Sequence, residues 1–222
     1  MRDEVGPSLA LIGAAATLLG LLQPNLTPLV ALGLASLTIG VLASWEPAAR
    51  ERVVAKLAEA GWENTAALIQ AMGLPPKAYY VPSAVAGRPV AVVAQGPPPE
   101  VPRGALTFKT PGGPALVLAT PGGKALELCG ELPGDLGEAL RTCVVNALGL
   151  ARSVSVAERG GEYVVEYSGV SAPELYERLV VRSALGGVVA SVTAAVAAEV
   201  LGRPVEVVEE RRVGRRLVVV LR

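Results

Sequence analysis

Histidine is absent from this chain of 222 residues. The commonest general base and the commonest metal ligand are therefore missing, which excludes His-based catalytic triads and zinc centres. Cysteine is almost absent: Cys129 and Cys143 are the only two, and they make no metal-binding pattern. They can pair if their stretches pack together, whereas a cytoplasmic setting favours reduced, buried thiols, with hyperthermophile cytoplasm as the exception. Asn and Gln are few beside Val, Ala, Arg, Glu and Pro, a balance that points to a thermophilic source. Net charge is missing too, because 20 Lys+Arg offset 20 Asp+Glu. No global field draws in nucleic acid, and no such partner is expected.

The most informative absence is local. Gly6 to Leu22 holds no charged residue, and after Gln23-Pro24-Asn25-Leu26-Thr27-Pro28 a second uncharged run reaches Ser44 and Trp45. Each run spans about 17–18 residues, or roughly 26 Å of helix, slightly short of a ~30 Å hydrocarbon core. Two prolines and an Asn suit the connector to a turn. Gly13, Ala14, Ala15, Ala16 and Gly20 in the first run, and Ala31, Gly33, Ala35, Ser36 and Gly40 in the second, let two helix backbones approach closely in lipid. Trp45 stands where an interfacial aromatic belongs. The expectation is a transmembrane helical hairpin over residues 1–46. A signal peptide fits poorly, because Met1-Arg2-Asp3-Glu4 has no cationic excess and a second apolar run follows at once. The buried helical hairpin of a soluble protein is the competing reading. Arg50, Arg52 and Lys56 follow the second run while the connector is uncharged, so the positive-inside rule places both termini and the main domain in the cytoplasm of a two-pass cell-membrane protein.

Residues 47–76 read as a helical neck. Val53, Val54, Leu57 and Ala60 line one face of a helix over 47–60 that Gly61 stops, and a second helix runs from Glu63 to Met72 ahead of Gly73 and Pro75-Pro76. Residues 77–222 read as an α+β domain with sub-regions 77–133 and 134–222. Tyr79–Val81 and Pro89–Ala94 are strand-like, and Tyr79-Tyr80 is either a buried strand or an exposed recognition patch. Gln95–Gly104 is a proline-stiffened loop. Thr110-Pro-Gly-Gly recurs as Thr120-Pro-Gly-Gly, the first a strand-connecting turn and the second a helix start. A helix over Asp135–Leu148 precedes a Val154/Val156 strand, the turn Arg159-Gly160-Gly161 and the strand Tyr163–Tyr167. A helix from Pro173 leads to the run Ala184–Leu201, then to strands around Val205–Val207 and Leu217–Leu221. Leu148-Gly149 and Leu201-Gly202 each join a helix to a valine-rich hairpin, a pattern that reads either as a duplicated α-β-β unit in one antiparallel sheet or as coincidence. Ala184–Leu201 carries one charge, Glu199, and reads as a buried core helix, with a third membrane span as the alternative.

Catalytic chemistry is thin. Gly122-Gly123-Lys124 lacks the P-loop pattern, since Leu118 and Ala125 occupy the required Gly and Ser/Thr positions. Two readings remain open: an anion held by the Gly122 and Gly123 amides with Lys124, or a plain turn. Arg211, Arg212, Arg215 and Arg216 cluster at the last hairpin turn, as a solvated turn balanced by Glu209 and Glu210 or as a basic patch for anionic headgroups or an acidic partner. Glu206, Glu209 and Glu210 are expected to face solvent. Catalytic residues, metal and cofactor are expected to be none.

The arrangement of a two-helix anchor, a helical neck, the segment Lys77-Ala-Tyr-Tyr-Val-Pro and an α/β domain resembles uncharacterised archaeal membrane proteins, a resemblance that implies no function. Ser183–Leu201 followed by Gly202-Arg-Pro-Val-Glu-Val is similar to the tail of four-vinyl-reductase-like small-molecule-binding domains, whose cysteines and histidine this chain lacks. The reading is a membrane-anchored, non-enzymatic binding or assembly module. Its expected partners are the lipid bilayer and a protein or second copy of the chain. The alternative is a membrane-tethered small-molecule sensor or enzyme with a pocket between sheet and helices.

Overall fold

The computed structural model describes residues 5–23, 26–98, 100–171, 179–214 and 216–222; the side chains of residues 27, 43–56 and 59 fall outside that description. Pro24, Asn25 and Arg215, most of the expected helix from Pro173, and the side chains of Trp45, Arg50, Arg52 and Lys56 therefore lie outside the described residues. The chain forms two compact units, residues 1–57 and 58–222.

The first unit holds α1 (Val5–Leu22) and the beginning of α2 (Thr27–Ala71). The expected stop at Gly61 does not occur, because α2 is helical without a break through Pro47 and Gly61 to Ala71. A lone glycine costs a helix about 1 kcal/mol relative to alanine. Beyond it, Ala66 and Ile69 are buried and Trp62 and Met72 pack against the core of the second unit. Tertiary burial outweighs the local penalty.

The second unit is α+β, built on an eight-stranded antiparallel sheet in the order β3-β4-β2-β1-β7-β8-β6-β5. The strands are β1 (Ala78–Val81), β2 (Val90–Val93), β3 (Thr107–Thr110), β4 (Gly113–Leu118), β5 (Ser153–Arg159), β6 (Glu162–Ser168), β7 (Val205–Val213) and β8 (Arg216–Leu221). Sub-regions 77–133 and 134–222 share this sheet, because β1 pairs with β7 through Tyr79↔Glu206 and Tyr80↔Val205. The hairpins β5–β6 and β7–β8 meet where β6 pairs with β8.

One face of the sheet carries α4 (Pro121–Cys129), α5 (Leu136–Leu140), a π-helical segment Arg141–Ala147, α6 (Val180–Leu185) and α7 (Val188–Leu201). Val165, Tyr167, Val205, Leu217, Val219 and Leu221 point into this main core. Helices do not cover that face alone: α3 (Ser83–Ala86) and Val101 close a smaller core on the other face of β1, β2 and β4, around Val81, Val92 and Val117. Val189 to Ala198 of α7 are all buried, so this apolar stretch is the central helix of the unit. It begins at Val188 rather than Ala184, because Gly186 at φ +74 ends α6 and Gly187 caps α7.

Candidate functional site

In the first unit the normal arrangement of side chains is turned inside out. The buried residues of α1 are Gly6, Gly13 and Gly20, seven apart, and Gly33 and Gly40 of α2 repeat the interval. They form an antiparallel seam. A Cβ on Gly13 would fall 2.7 Å from Gly33 O, one on Gly40 2.8 Å from Gly6 O, and one on Gly20 2.8 Å from Val30 N. Real Cβ atoms do not approach that closely, so only glycine permits the contact. The large side chains point away: Leu11 is 72% exposed, Leu22 77%, Leu32 65% and Ile39 58%. Two threonines are satisfied within their own helices, with Thr17 Oγ1 donating to Gly13 O at 2.8 Å and Thr38 Oγ1 to Leu34 O at 2.8 Å.

Two stretches of the described residues are long and apolar enough to cross a membrane, and burial separates them. Val180–Leu201 is 78% buried within its unit, whereas Val5–Leu22 is only 17% buried. Among the described side chains, the apolar part of α2 covers Pro28–Leu42.

In the second unit the structure gives Gly122 and Gly123 work within the fold. The Gly122 amide donates to Ser191 Oγ at 3.1 Å and the Gly123 amide to Thr120 Oγ1 at 3.1 Å. Both glycines are buried, and Gly122 sits directly against the Ser191 carbonyl of α7. Lys124 is exposed and paired with Glu127. The second Thr-Pro-Gly-Gly is thus an N-cap followed by a close helix crossing.

The arginine cluster divides. Arg211 pairs with Glu209 at 3.5 Å and Arg216 with Glu166 at 3.3 Å. Arg212, one residue on from Arg211, takes the opposite side of β7 and is exposed. Glu206 and Glu210 are not solvent-facing: their side chains are only 13% and 11% exposed. A register shift between Val207 and Glu209 turns Glu210 toward the helices. There its carboxylate accepts the Gly187 amide at 2.6 Å and pairs with Arg182 at 3.4 Å, capping α7 beside a cleft of about 550 Å³. Glu206 instead joins a line of charges across four strands, pairing with Lys77 at 2.9 Å and with Arg222 at 3.6 Å. Arg222 reaches Glu162 at 3.9 Å. The Glu206 hydrogen bond, followed by that of Tyr79, raises the Lys77 ammonium above its ordinary pKa.

The remaining buried polar groups are satisfied within the fold. Tyr79 and Tyr80 are buried strand residues rather than a recognition patch, and Tyr80 Oη donates to Leu185 O at 2.7 Å. Tyr167 Oη lies 2.8 Å from Thr193 Oγ1, and Thr193 donates to Val189 O at 2.6 Å. Burial drives the Tyr167 phenol well above its usual range. Glu199 accepts both the amide and the hydroxyl of Ser83, at 2.6 and 2.8 Å. Cys129 and Cys143 form a disulfide rather than two free thiols, because the end of α4 and the π-helical segment bring their Cα atoms to 4.8 Å. No group of three or more His, Cys, Asp or Glu suited to a metal ion occurs among the described residues.

No protein-family model, curated protein or solved structure matches this chain.

Proposed function

We propose that the chain is a membrane-anchored, non-enzymatic binding or assembly module, with residues 5–42 in a lipid bilayer and the α+β unit in water. The glycine-inside, leucine-outside packing of α1 against α2 carries this reading. Eleven large apolar side chains from Val5 to Leu42 are at least half exposed. Left in water they forgo roughly 10–20 kcal/mol of burial, as much as or more than the ~5–15 kcal/mol that stabilises a typical domain. In lipid no such loss arises, and close glycine contact is what drives helices together there. The threonine hydroxyls bonded to their own helix meet the same demand that polar groups be satisfied internally.

Arg50, Arg52 and Lys56 favour a cytoplasmic main domain. The Cys129–Cys143 bond favours a second orientation, with the same anchor and the domain on the oxidising side. Binding is favoured over turnover because the groups that could react are engaged structurally: both cysteines in the disulfide, Glu199 on Ser83, Glu210 on Gly187. The partner is a protein or a second copy of the chain, for which exposed Val208 and Val213 on β7 offer apolar contact points. The test is flotation of the full-length chain with liposomes after a carbonate wash. The chain is expected in the lipid fraction, and a monodisperse protein in detergent-free buffer that ignores liposomes overturns the reading. Trypsin added to sealed inverted membrane vesicles decides orientation, since a cytoplasmic domain is cut and an external one protected.

A further inference from the structure

At one end of the sheet three arginines from separate strand ends line a shallow cavity of about 340 Å³. They are Arg152 ahead of β5, Arg212 in β7 and Arg216 at the start of β8. Gly169 and Gly214, at φ +61 and +63, turn the chain around the cavity, and Leu217 contributes to its wall. The cavity depends on glycine at position 169, where a Cβ would fall 2.7 Å from Arg152 Cδ, so the arginine stem lies directly across the turn.

Among the described residues the charge at this end of the sheet is not balanced. Glu166 pairs with Arg216 at 3.3 Å, but among the described residues Arg152 and Arg212 make no ion pair. With the Glu166 carboxylate taken up by Arg216, the described residues leave the guanidinium groups of Arg152 and Arg212 without a carboxylate partner. Ser153 and Ser168, whose hydroxyls lie 2.6 Å apart, flank this end of the sheet. Planar guanidinium forks match the paired oxygens of phosphate better than any other common anion-binding side chain.

We propose that this groove is a binding site for a phosphate-bearing anion, held by Arg152 and Arg212, while Arg216, in register with Val213, turns to Glu166 on the other side of the sheet. The site lies wholly within the α+β unit and does not require the anchor. Arg211, paired with Glu209 on the other side of β7, is not part of it. The test is calorimetric titration of the full-length chain in phosphatidylcholine nanodiscs, with two probes: inorganic pyrophosphate and the short-chain lipid dihexanoyl phosphatidic acid. At least one probe binds, and the exposed double variant R152Q/R212Q weakens it about tenfold or more, while R211Q changes it less than about twofold. Tighter binding of pyrophosphate identifies a soluble phosphate ligand, and tighter binding of phosphatidic acid a lipid headgroup. Failure of both probes to bind, or an equal loss with R211Q, overturns the proposal.

Discussion

Replacing Gly122 with alanine puts a methyl group against the backbone of α7. The new Cβ would meet the Ser191 carbonyl carbon at 2.5 Å and Ala195 Cβ at 3.0 Å, with the Ser191 oxygen closer still. Neither backbone atom can rotate away, so α4 and α7 must separate. Overpacking of this kind costs about 1–3 kcal/mol. Separation also stretches the 3.1 Å bond from the Gly122 amide to Ser191 Oγ, worth about 0.5–1.5 kcal/mol. The combined loss of about 2–4 kcal/mol corresponds to a fall of roughly 5–15 °C in melting temperature for a unit of this size. The assay is thermal unfolding of the full-length protein in detergent, followed by near-ultraviolet circular dichroism. Gly134→Ala is the control, because a Cβ there meets nothing, and it should stay within about 0.5 kcal/mol of the parent. If Gly122→Ala melts alongside Gly134→Ala, the close crossing of α4 and α7 is wrong. Gly122 and Gly123 would then be free for the anion role considered from the sequence.

Three further outcomes follow from the same packing. Reducing the Cys129–Cys143 bond, which joins residues 14 apart, should cost about 3 kcal/mol and lower the melting temperature by roughly 6–12 °C; an unchanged melt with and without reductant contradicts it. The buried Tyr167 phenol keeps its proton where an unfolded tyrosine releases it, so stability falls as pH climbs past about 10. Lys77, raised chiefly by its bond to Glu206, acts in the same direction from about 10.4. Denaturant titrations of Tyr167→Phe should show that alkaline slope reduced by about 1.4 kcal/mol per pH unit, and an undiminished slope refutes the assignment. Glu210→Ala removes both the cap on Gly187 and an ion-pair partner of Arg182, a loss of about 2–3 kcal/mol that Glu210→Gln should partly restore; equal stability of the two variants rules out the capping role.

What the sequence made legible follows from how local the signal is. The charge-free runs mark α1 and the start of α2, and the valine alternation marks β5 through β8, since each depends on neighbours along the chain. The seven-residue spacing of Gly6, Gly13 and Gly20 was present too, but small residues around it hid which ones form the seam. Gly61 misled because a long helix with buried residues on its far side tolerates a residue that would end a short one. The fates of Glu206 and Glu210 depend on a register shift that alternation alone does not announce. Of the arginine cluster, the pleat sends Arg211 and Arg212 to opposite sides, while Arg152, sixty positions away in sequence, arrives only through strand pairing. Sites assembled from separate strand ends become visible only when the order of the sheet is known.

Lipid contact along α1 and α2 is measured most directly by nitroxide labels placed singly at Leu11, Leu19 and Ile39 of the full-length chain in liposomes, with Leu128, equally apolar and 72% exposed in the α+β unit, as reference. Power-saturation spectroscopy should find the three hairpin labels open to oxygen and shielded from a water-soluble nickel complex, and the label at 128 open to nickel. Nickel reaching positions 11, 19 and 39 as freely as 128 would mean that these helices stand in water, and the anchor would have to be abandoned.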